Sequence, residues 1–437
     1  MKLVIFYLFS ISFVFSVHAE EAGIPSLSTE QKVYGLSLVW SEVKNNFAFL
    51  DKNPELDLDR EYINSLVRIS STDSTYDYYK ELARFTALLN DGHTKVMLPY
   101  DLYKNDIDWP DVYLHSIENK VVVTGVGSRY QSRLPVGSEI VSVNGIPVRD
   151  YIDREVYPYF SGSSYEDRWN LAVSNLFFGL SNSKFLVGFN RPNGQYSEIP
   201  IVSNSKSNDD TINRIKLFDY RKSNTNFSWL ADNVAYLSIN SFKDKEVIDE
   251  FVSLLPKLNK SRGLILDLRF NRGGSTSIVN EIASYLTNKP LTGSSWKYRI
   301  NNSVLKLGKV PNIENWFYGN GRTLDPKSNA INVPTAILIG QGTGSAALEF
   351  LVLTDDLDSF RTYGVTTNTS TGQTMKIDLP GGGIALICIK RDSFPDGREI
   401  VGVGIKPDVV IELTINNLLL GEDKVLEKAL LDLKDRI

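Results

Sequence analysis

The sequence predicts an α/β protein whose second half holds a mostly parallel sheet covered by helices. Three apolar segments each read as a strand that leads through a turn into a helix. They are "VAYLSI" before a helix at about 245–256, "GLILDLRF" before a helix after Ser275, and "PTAILIG" before a helix after Ser345. Such repeated units indicate parallel strands, and ligands gather at the carboxyl ends of such strands.

The N-terminus has the pattern of a secretory signal. Lys2 precedes the apolar run "LVIFYLFSISFVFSV", and small residues stand at Val17 and Ala19. We therefore expect residues 1–19 to be removed and the mature chain to be exported, to the periplasm or outside the cell. A membrane anchor is the alternative, but the run is short for a spanning helix and no later stretch is long and apolar enough. No membrane span is thus expected after signal removal.

Residues 20–104 are predicted to form a helical region. Ser28 and Gln31 make a capping box for a first helix, and Ser74 opens a later one. We expect this later helix to end in a left-handed cap at Asp91-Gly92. His93 then emerges just past the helix end.

Residues 105–204 show short alternating strands. Asn144-Gly145 between apolar segments is a strong hairpin signal. The stretch "RLPVGSEIVSVNGIPV" resembles the signature of PDZ domains, which receive peptide C-termini at a sheet edge. A generic β-insertion is the alternative. His115 lies within a strand and reads as structural. The polar linker "SNSKSNDDT" then leads to an α/β core over 212–437.

Composition excludes several function classes. The 437 residues include 47 basic and 52 acidic side chains, a net charge of -5, without basic blocks. This balance argues against nucleic acid as a partner. Of the 3 His, one lies in the signal expected to be removed, so one Cys and two His remain; a zinc or iron site is hard to assemble from these, and no metal or cofactor is expected. Cys388 lies in an alternating strand pattern and is predicted to be a buried thiol.

Two glycine-rich turns could carry chemistry. In "LDLRFNRGGS", Gly274 could point its N–H into a cleft, and the Gly-Lys-Ser/Thr ending of a phosphate loop is missing. In "GQGTGSAALEF", Ser345 begins a helix, where the N–H of Ala346 can face a developing oxyanion. The alternative is that Ser345 is only an N-cap.

"LILDLRFNRGG", "GTGSAALEF" and "GREIVGVGIKPDVV", in this order, resemble the C-terminal processing (tail-specific) serine peptidases, which are related to the tricorn protease core and the interphotoreceptor retinoid-binding proteins. The resemblance implies a crotonase/Clp-like α/β core with a helical N-terminal region and an inserted PDZ-like domain. It also implies Ser345 as nucleophile, with the amides of Gly274 and Ala346 as the oxyanion hole.

The general base departs from the common family pattern. Many members use a Lys whose slot falls near Ser370 here, and the nearest Lys on the C-terminal side is Lys376. A branch of the family uses a His in the matching helix-end turn, which implies His93 as the base. Glu399 is the nearest acid before "GVGIKPD" and the candidate to orient the imidazole, with Asp91 as another.

The sequence therefore predicts an exported serine endopeptidase acting through Ser345 and His93. Its partner would be a polypeptide substrate that can be held by its C-terminus. A non-catalytic protein that binds peptide or an apolar ligand on the same fold is the alternative.

Overall fold

The computed structural model describes residues 26–205, 212–218, 224–300 and 316–437. The predicted signal at 1–19 lies outside these ranges. Among the described residues, none of the helices combines the length and the apolar character needed to cross a membrane.

The N-terminal region is helical, as predicted. Ser28 and Gln31 form the expected capping box, and the Ser74 side chain accepts the Asp77 N–H. The region packs against two strands near the C-terminus through apolar side chains that include Leu36, Phe85 and Ile387. Its elements are α1 Thr29–Asn46, α2 Leu58–Ser70, α3 Thr75–Ala87, β1 Lys95–Met97 and α4 Tyr100–Asn105.

The turn after α3 differs from the prediction in one detail. The left-handed residue is Asn90, with φ of 51°, and Gly92 does not have a positive φ. Asparagine tolerates this conformation because its short polar side chain can bond locally. His93 still follows the helix end, as expected.

The second region is an antiparallel sheet of seven strands. Five follow the order β10-β4-β5-β8-β9, while β3 pairs with β4 and β6 pairs with β5. Asn144 and Gly145 form the predicted hairpin turn, both with positive φ. The elements are β2 Ile107–Asp108, β3 Val112–Ile117, β4 Lys120–Gly127, α5 Ser128–Gln131, β5 Glu139–Val143, β6 Ile146–Pro147, α6 Val148–Tyr151, α7 Tyr165–Ser174, β7 Gly179–Leu180, β8 Lys184–Asn190, β9 Tyr196–Val202 and β10 Ile212–Arg214. Because β10 pairs with β4, this sheet continues past the predicted boundary at 204.

The remaining residues build an α/β core around a six-stranded sheet with the order β11-β12-β13-β18-β19-β23. All of its pairings are parallel except β11 with β12. The elements are β11 Thr225–Trp229, β12 Val234–Ile239, α8 Glu246–Leu258, β13 Gly263–Asp267, α9 Thr276–Ala283, β14 Leu291–Thr292, β15 Ser295–Arg299, β16 Trp316–Gly319, β17 Thr323–Leu324, β18 Thr335–Ile339, α10 Ala346–Thr354, β19 Phe360–Gly364, β20 Thr374–Asp378, β21 Ile384–Cys388, β22 Lys390–Ser393, β23 Val409–Val410, α11 Ile415–Leu420 and α12 Lys424–Lys434.

Both faces of this sheet are covered by helices. Along β13, Leu264 and Leu266 contribute to the apolar cluster shared with α8, α9 and α10, whereas Ile265 belongs to the cluster shared with α12. Every residue of β13 and β18 is buried, as expected for parallel strands covered on both sides. The carboxyl ends of β13 and β18 lead into the two glycine-rich turns.

A small sheet joins the N-terminal region to the core. β1 pairs with β21 in antiparallel register, with Val96 opposite Ala385, and β21 pairs in turn with β20. β1 begins two residues after His93, so this pairing fixes the His93 turn against the α/β core. The predicted domain limit at 104 falls inside α4, which ends at Asn105.

Candidate active site

The turn that carries His93 is held by buried hydrogen bonds. Asp91 is fully buried, and its carboxylate accepts from the Thr94 hydroxyl at 2.6 Å and the Ser163 hydroxyl at 3.3 Å. Thr94 Oγ1 in turn accepts the backbone N–H of Cys388 in β21 at 3.0 Å. Because partners from three regions of the chain fix Asp91 and Thr94, the backbone on either side of His93 has little freedom.

Ser345 lies between β18 and α10 in a conformation that L-residues rarely adopt, with φ of 53° and ψ of -123°. This conformation costs a residue other than glycine about 1–3 kcal/mol. Ser345 occupies the N-cap position of α10, yet its side chain makes no capping hydrogen bond. Capping of α10 therefore does not explain why a serine hydroxyl is found at this position.

The structure brings His93 and Ser345 together. His93 Nε2 lies 3.2 Å from Ser345 Oγ, across 252 residues of sequence. Burial lowers the pKa of His93, the charge of Asp91 opposes this shift, and Lys95 adds to it. The imidazole is thus favoured in its neutral form, in which Nε2 can accept a proton.

Two backbone amides next to Ser345 have no acceptor in the described part of the chain: those of Gly274 and Ala346. The glycine turn lies directly against the nucleophile turn, because a Cβ added to Gly273 would fall 2.7 Å from the Ala346 nitrogen. Gly274 has φ of 148°, and a Cβ there would meet the Phe242 carbonyl oxygen at 2.2 Å. Only glycine fits this position, and its amide is left unbonded.

Asn271 joins the two glycine-rich turns and was not singled out by the sequence analysis. It is fully buried, its side chain donates to the Ile239 carbonyl and accepts the Gly273 N–H, and its carbonyl accepts the Gly344 N–H. Asparagine after a strand is common in loops, so no local signal marks it. It fixes Gly273 and Gly344, which directly precede Gly274 and Ser345.

Glu399 is not brought to His93. Its carboxylate accepts from Lys52 at 2.6 Å, in an ion pair whose side chains are about half exposed. His93 Nδ1 is buried and has no hydrogen-bond partner within the described ranges. The sequence shows that Glu399 precedes "GVGIKPD", but it does not show where the Glu399 carboxylate points. Asp91 is the carboxylate whose charge acts on the imidazole.

The other candidates for the base lie elsewhere. Lys376 forms an exposed ion pair with Asp378 in β20. Ser370, near the predicted lysine slot, is buried and its hydroxyl lies 2.7 Å from that of Ser163, which bonds Asp91. The slot thus supplies a hydroxyl to the network around the His93 turn. Ser163 comes from a distant loop and has no sequence signal of its own.

The remaining histidine and the cysteine behave as structural residues. His115 Nδ1 lies 2.7 Å from Thr124 Oγ1, and its ring stacks on Phe218. Cys388 is buried, and burial raises the pKa of its thiol. Among the described residues, no group of three or more His, Cys, Asp or Glu side chains could hold a metal ion.

Comparison with known proteins finds a peptidase family that matches part of the chain. Residues 233–411, which contain both glycine-rich turns and Ser345, match the model of peptidase family S41. This part of the chain is therefore similar to peptidase family S41. The resemblance noted in the sequence is thereby confirmed at the level of the family.

Curated S41 relatives match over part of their length. A "Probable CtpA-like serine protease" of Staphylococcus epidermidis is 28% identical over 225 residues, which is 50% of this chain and 41% of the relative. The protein of the same name from Staphylococcus aureus (strain N315) is 27% identical over 201 residues, 45% of this chain and 36% of the relative. The chain thus spans about two fifths of these relatives.

Solved structures show the same fold over most of the chain. Mature CPAF in complex with lactacystin superposes with a TM-score of 0.73 at 16% identity, covering 93% of this chain and 98% of CPAF. The photosystem II D1 C-terminal processing protease has a TM-score of 0.51 at 15% identity, covering 87% of this chain and 93% of the protease. At these identities the likeness establishes the fold alone, a mixed helix and sheet fold shared with these proteases.

Proposed function

We propose that this chain is an exported serine endopeptidase that hydrolyses peptide bonds of protein substrates. The observation that carries the proposal is the 3.2 Å separation of Ser345 Oγ and His93 Nε2. The backbone of Ser345 is strained, and its side chain does not cap the helix. Both features are expected of a nucleophile. The curated relatives named as serine proteases support the same activity.

In the proposed first half-reaction, His93 Nε2 takes the hydroxyl proton as Ser345 Oγ attacks the peptide carbonyl carbon. The carbonyl electron pair moves onto oxygen, which accepts hydrogen bonds from the amides of Gly274 and Ala346. His93 then gives its proton to the leaving nitrogen as the C–N bond breaks. This step leaves an acyl-enzyme and a free amine.

In the second half-reaction a water attacks the ester carbon and gives a proton to His93. The same two amides stabilise the second oxyanion, and His93 returns the proton to Ser345 Oγ as the acid product leaves. Every group required is supplied by the chain and by water. No metal or cofactor takes part in the proposal.

Asp91 is proposed as the residue that positions the base. Its carboxylate accepts the hydroxyls of Thr94 and Ser163, and its backbone carbonyl accepts the Thr94 N–H at 3.2 Å, so it holds the turn on both sides of His93. Its charge also favours the imidazolium that forms during the reaction. Glu399, paired with Lys52, is the weaker candidate for this role.

The same proposal includes a peptide-binding domain, the fold class of the core, and export. The seven-stranded sheet would be a PDZ-like domain that receives polypeptide, and the core would belong to the crotonase/Clp-like folds. Export would follow from the N-terminal signal pattern at 1–19. The antiparallel hairpin at Asn144-Gly145 supports the PDZ-like assignment.

The test is hydrolysis of an unfolded protein such as reduced casein by the mature chain. Wild type should produce new peptide ends, and Ser345→Ala should produce none while keeping its fold by circular dichroism. Equal fragmentation by both proteins would remove Ser345 from the mechanism. A folded wild type without hydrolysis of casein or of a peptide library would favour a non-catalytic binding protein.

A further inference from the structure

Three cationic side chains stand on the backbone segments that build the proposed active site. Lys95 follows His93 by two residues, Arg272 directly precedes Gly273, and Lys243 directly follows Phe242.

The segment of Lys243 is tied closely to the glycine turn. Phe242 donates its N–H to the Gly273 carbonyl at 3.0 Å and accepts the Ser275 N–H at 2.7 Å. A Cβ added to Gly274 would fall 2.5 Å from the Lys243 nitrogen. The backbone segments that carry the three cations therefore meet at the proposed active site from three separate parts of the sequence.

The three cations are exposed and form no ion pair with the described residues. Lys95, Lys243 and Arg272 are all solvent-exposed. Across the described ranges no carboxylate lies within 4.0 Å of their charged nitrogens, although many other surface lysines and arginines form ion pairs. This concentration of free positive charge is unexpected on a chain whose net charge is -5.

The cations also act on one another. Desolvation by the surrounding groups lowers the pKa of Lys95, and the positive charges of Arg272 and Lys243 lower it further. Asp91 opposes this effect, but it is fully buried and its carboxylate already accepts hydrogen bonds. The repulsion would therefore be relieved by a negative group arriving from solvent.

We propose that Lys95, Lys243 and Arg272 form a carboxylate-binding subsite beside the bond that is cut. The favoured substrate would carry an Asp or Glu side chain, or its own terminal carboxylate, within a few residues of the scissile bond. The inference rests on the proposed peptidase function and specifies its substrate class. An extended peptide advances about 3.3 Å per residue, so a carboxylate one to three residues away lies within reach of long cationic side chains. Arginine suits this role because its planar fork can hold a carboxylate by two hydrogen bonds.

The experiment uses quenched fluorescent peptides that share one cleavable core sequence. Glu or Gln is placed in turn at three positions on each side of the cut, with an amidated C-terminus. A second arm keeps Gln throughout and ends on a free carboxylate close to the cut. The two arms distinguish a side-chain carboxylate from a terminal one.

For at least one position we expect kcat/KM to be about tenfold higher with Glu, or with the free terminus, than with the neutral amidated peptide at low salt. At 0.5 M salt the Debye length is about 4 Å, so the preference should fall steeply because the charges are exposed. A Lys at the same position should be cleaved more slowly than Gln. This comparison needs no variant of the protein.

Substitution then assigns the preference to residues. In the triple variant Lys95→Gln, Lys243→Gln and Arg272→Gln the Glu-to-Gln ratio of kcat/KM should fall towards one, with each single variant intermediate. Lys260→Gln is the matched control, because Lys260 is an exposed lysine just before β13, at the opposite end of the sheet. It should keep the wild-type ratio.

Two outcomes would overturn the inference while leaving the peptidase proposal intact. One is a wild type that cleaves the neutral peptide and shows no preference for carboxylate at any position. The other is a preference that survives unchanged in the triple variant. Absence of cleavage of every peptide, with no modification of Ser345 by a phosphonate, would instead overturn the peptidase proposal and the inference with it.

Discussion

His93 Nε2 and Ser345 Oγ lie 3.2 Å apart, although the two residues belong to different parts of the fold and are separated by 252 positions. The contact depends on β1, which follows His93 and pairs with β21 of the α/β core. It also depends on the turn after β18, which holds Ser345 with φ of 53°. The proposed chemistry is thus assembled where an N-terminal turn meets the carboxyl end of a core strand.

The backbone strain at Ser345 can be measured by comparing two substitutions that both remove its hydroxyl. Ser345→Gly and Ser345→Ala both remove Oγ, but only glycine adopts the observed φ and ψ freely. The same pair of substitutions at Ser74, an N-cap with extended backbone, reports what N-cap preference alone contributes. We expect the Gly-over-Ala advantage in free energy of unfolding to be larger at Ser345 by about 1 kcal/mol, as measured by chemical denaturation. Equal advantages at both sites would show that Ser345 is not strained.

Asp91 and Glu399 compete as the residue that supports the base. We expect Asp91→Asn to lower kcat roughly 10- to 100-fold with little change in KM, because a displaced imidazole reacts poorly while substrate contacts remain. Glu399→Gln should change kcat less than about twofold, since its carboxylate pairs with Lys52 at the surface and not with His93. Steady-state kinetics on one neutral peptide decide between them. A large loss in Glu399→Gln with an active Asp91→Asn would reverse the assignment.

The pH dependence of kcat/KM follows from the lowered pKa of His93. The base acts only when unprotonated, so the rate is full above this pKa and is lost as the pH falls through it. Because burial holds the pKa below its usual 6.5, the acidic limb should lie below pH 6.5. Lys95 adds to the shift, so Lys95→Gln should move the limb to higher pH on a neutral peptide, whereas Lys260→Gln should not. A limb that stays fixed or moves down would contradict this electrostatic account.

The amide of Gly274 depends on a backbone conformation that only glycine fits. In Gly274→Ala the new Cβ would clash with the Phe242 carbonyl, so the turn must shift and the amide with it. We expect kcat to fall on the order of 10²-fold or more and the free energy of unfolding to fall by at least about 2 kcal/mol. Gly145→Ala is the matched control, because Gly145 also has a positive φ, of 77°, but no atom within 4 Å of the added Cβ. It should lose about 1 kcal/mol and keep wild-type kcat.

Local signals in the sequence located the segments of this site but not their chemistry. Strand, turn and helix patterns placed Ser345 and Gly274, and a helix end placed His93. Their roles came from the family resemblance, because Ser345 alone also fits an N-cap. What the sequence could not supply were contacts between distant segments. Ser163 and Asn271 look ordinary in sequence, and their roles arise only from partners far along the chain.

Directions of side chains and small backbone choices were equally out of reach. Glu399 has a suggestive position in the sequence, yet its carboxylate turns to Lys52 at the surface. Both asparagine and glycine can adopt the left-handed conformation, so the sequence could not show which residue after α3 adopts it. In the structure it is Asn90.

The central claim is that His93 activates Ser345, and the rate of phosphonylation by a fluorophosphonate tests it most directly. The adduct is mapped by mass spectrometry, and His115→Gln serves as the control for loss of a structural histidine. Wild type and His115→Gln should be modified at Ser345 at similar rates, His93→Ala should react about 10²- to 10⁴-fold more slowly, and Ser345→Ala should not react. Modification of a folded His93→Ala at the wild-type rate would contradict the account, as would an adduct on any residue other than Ser345.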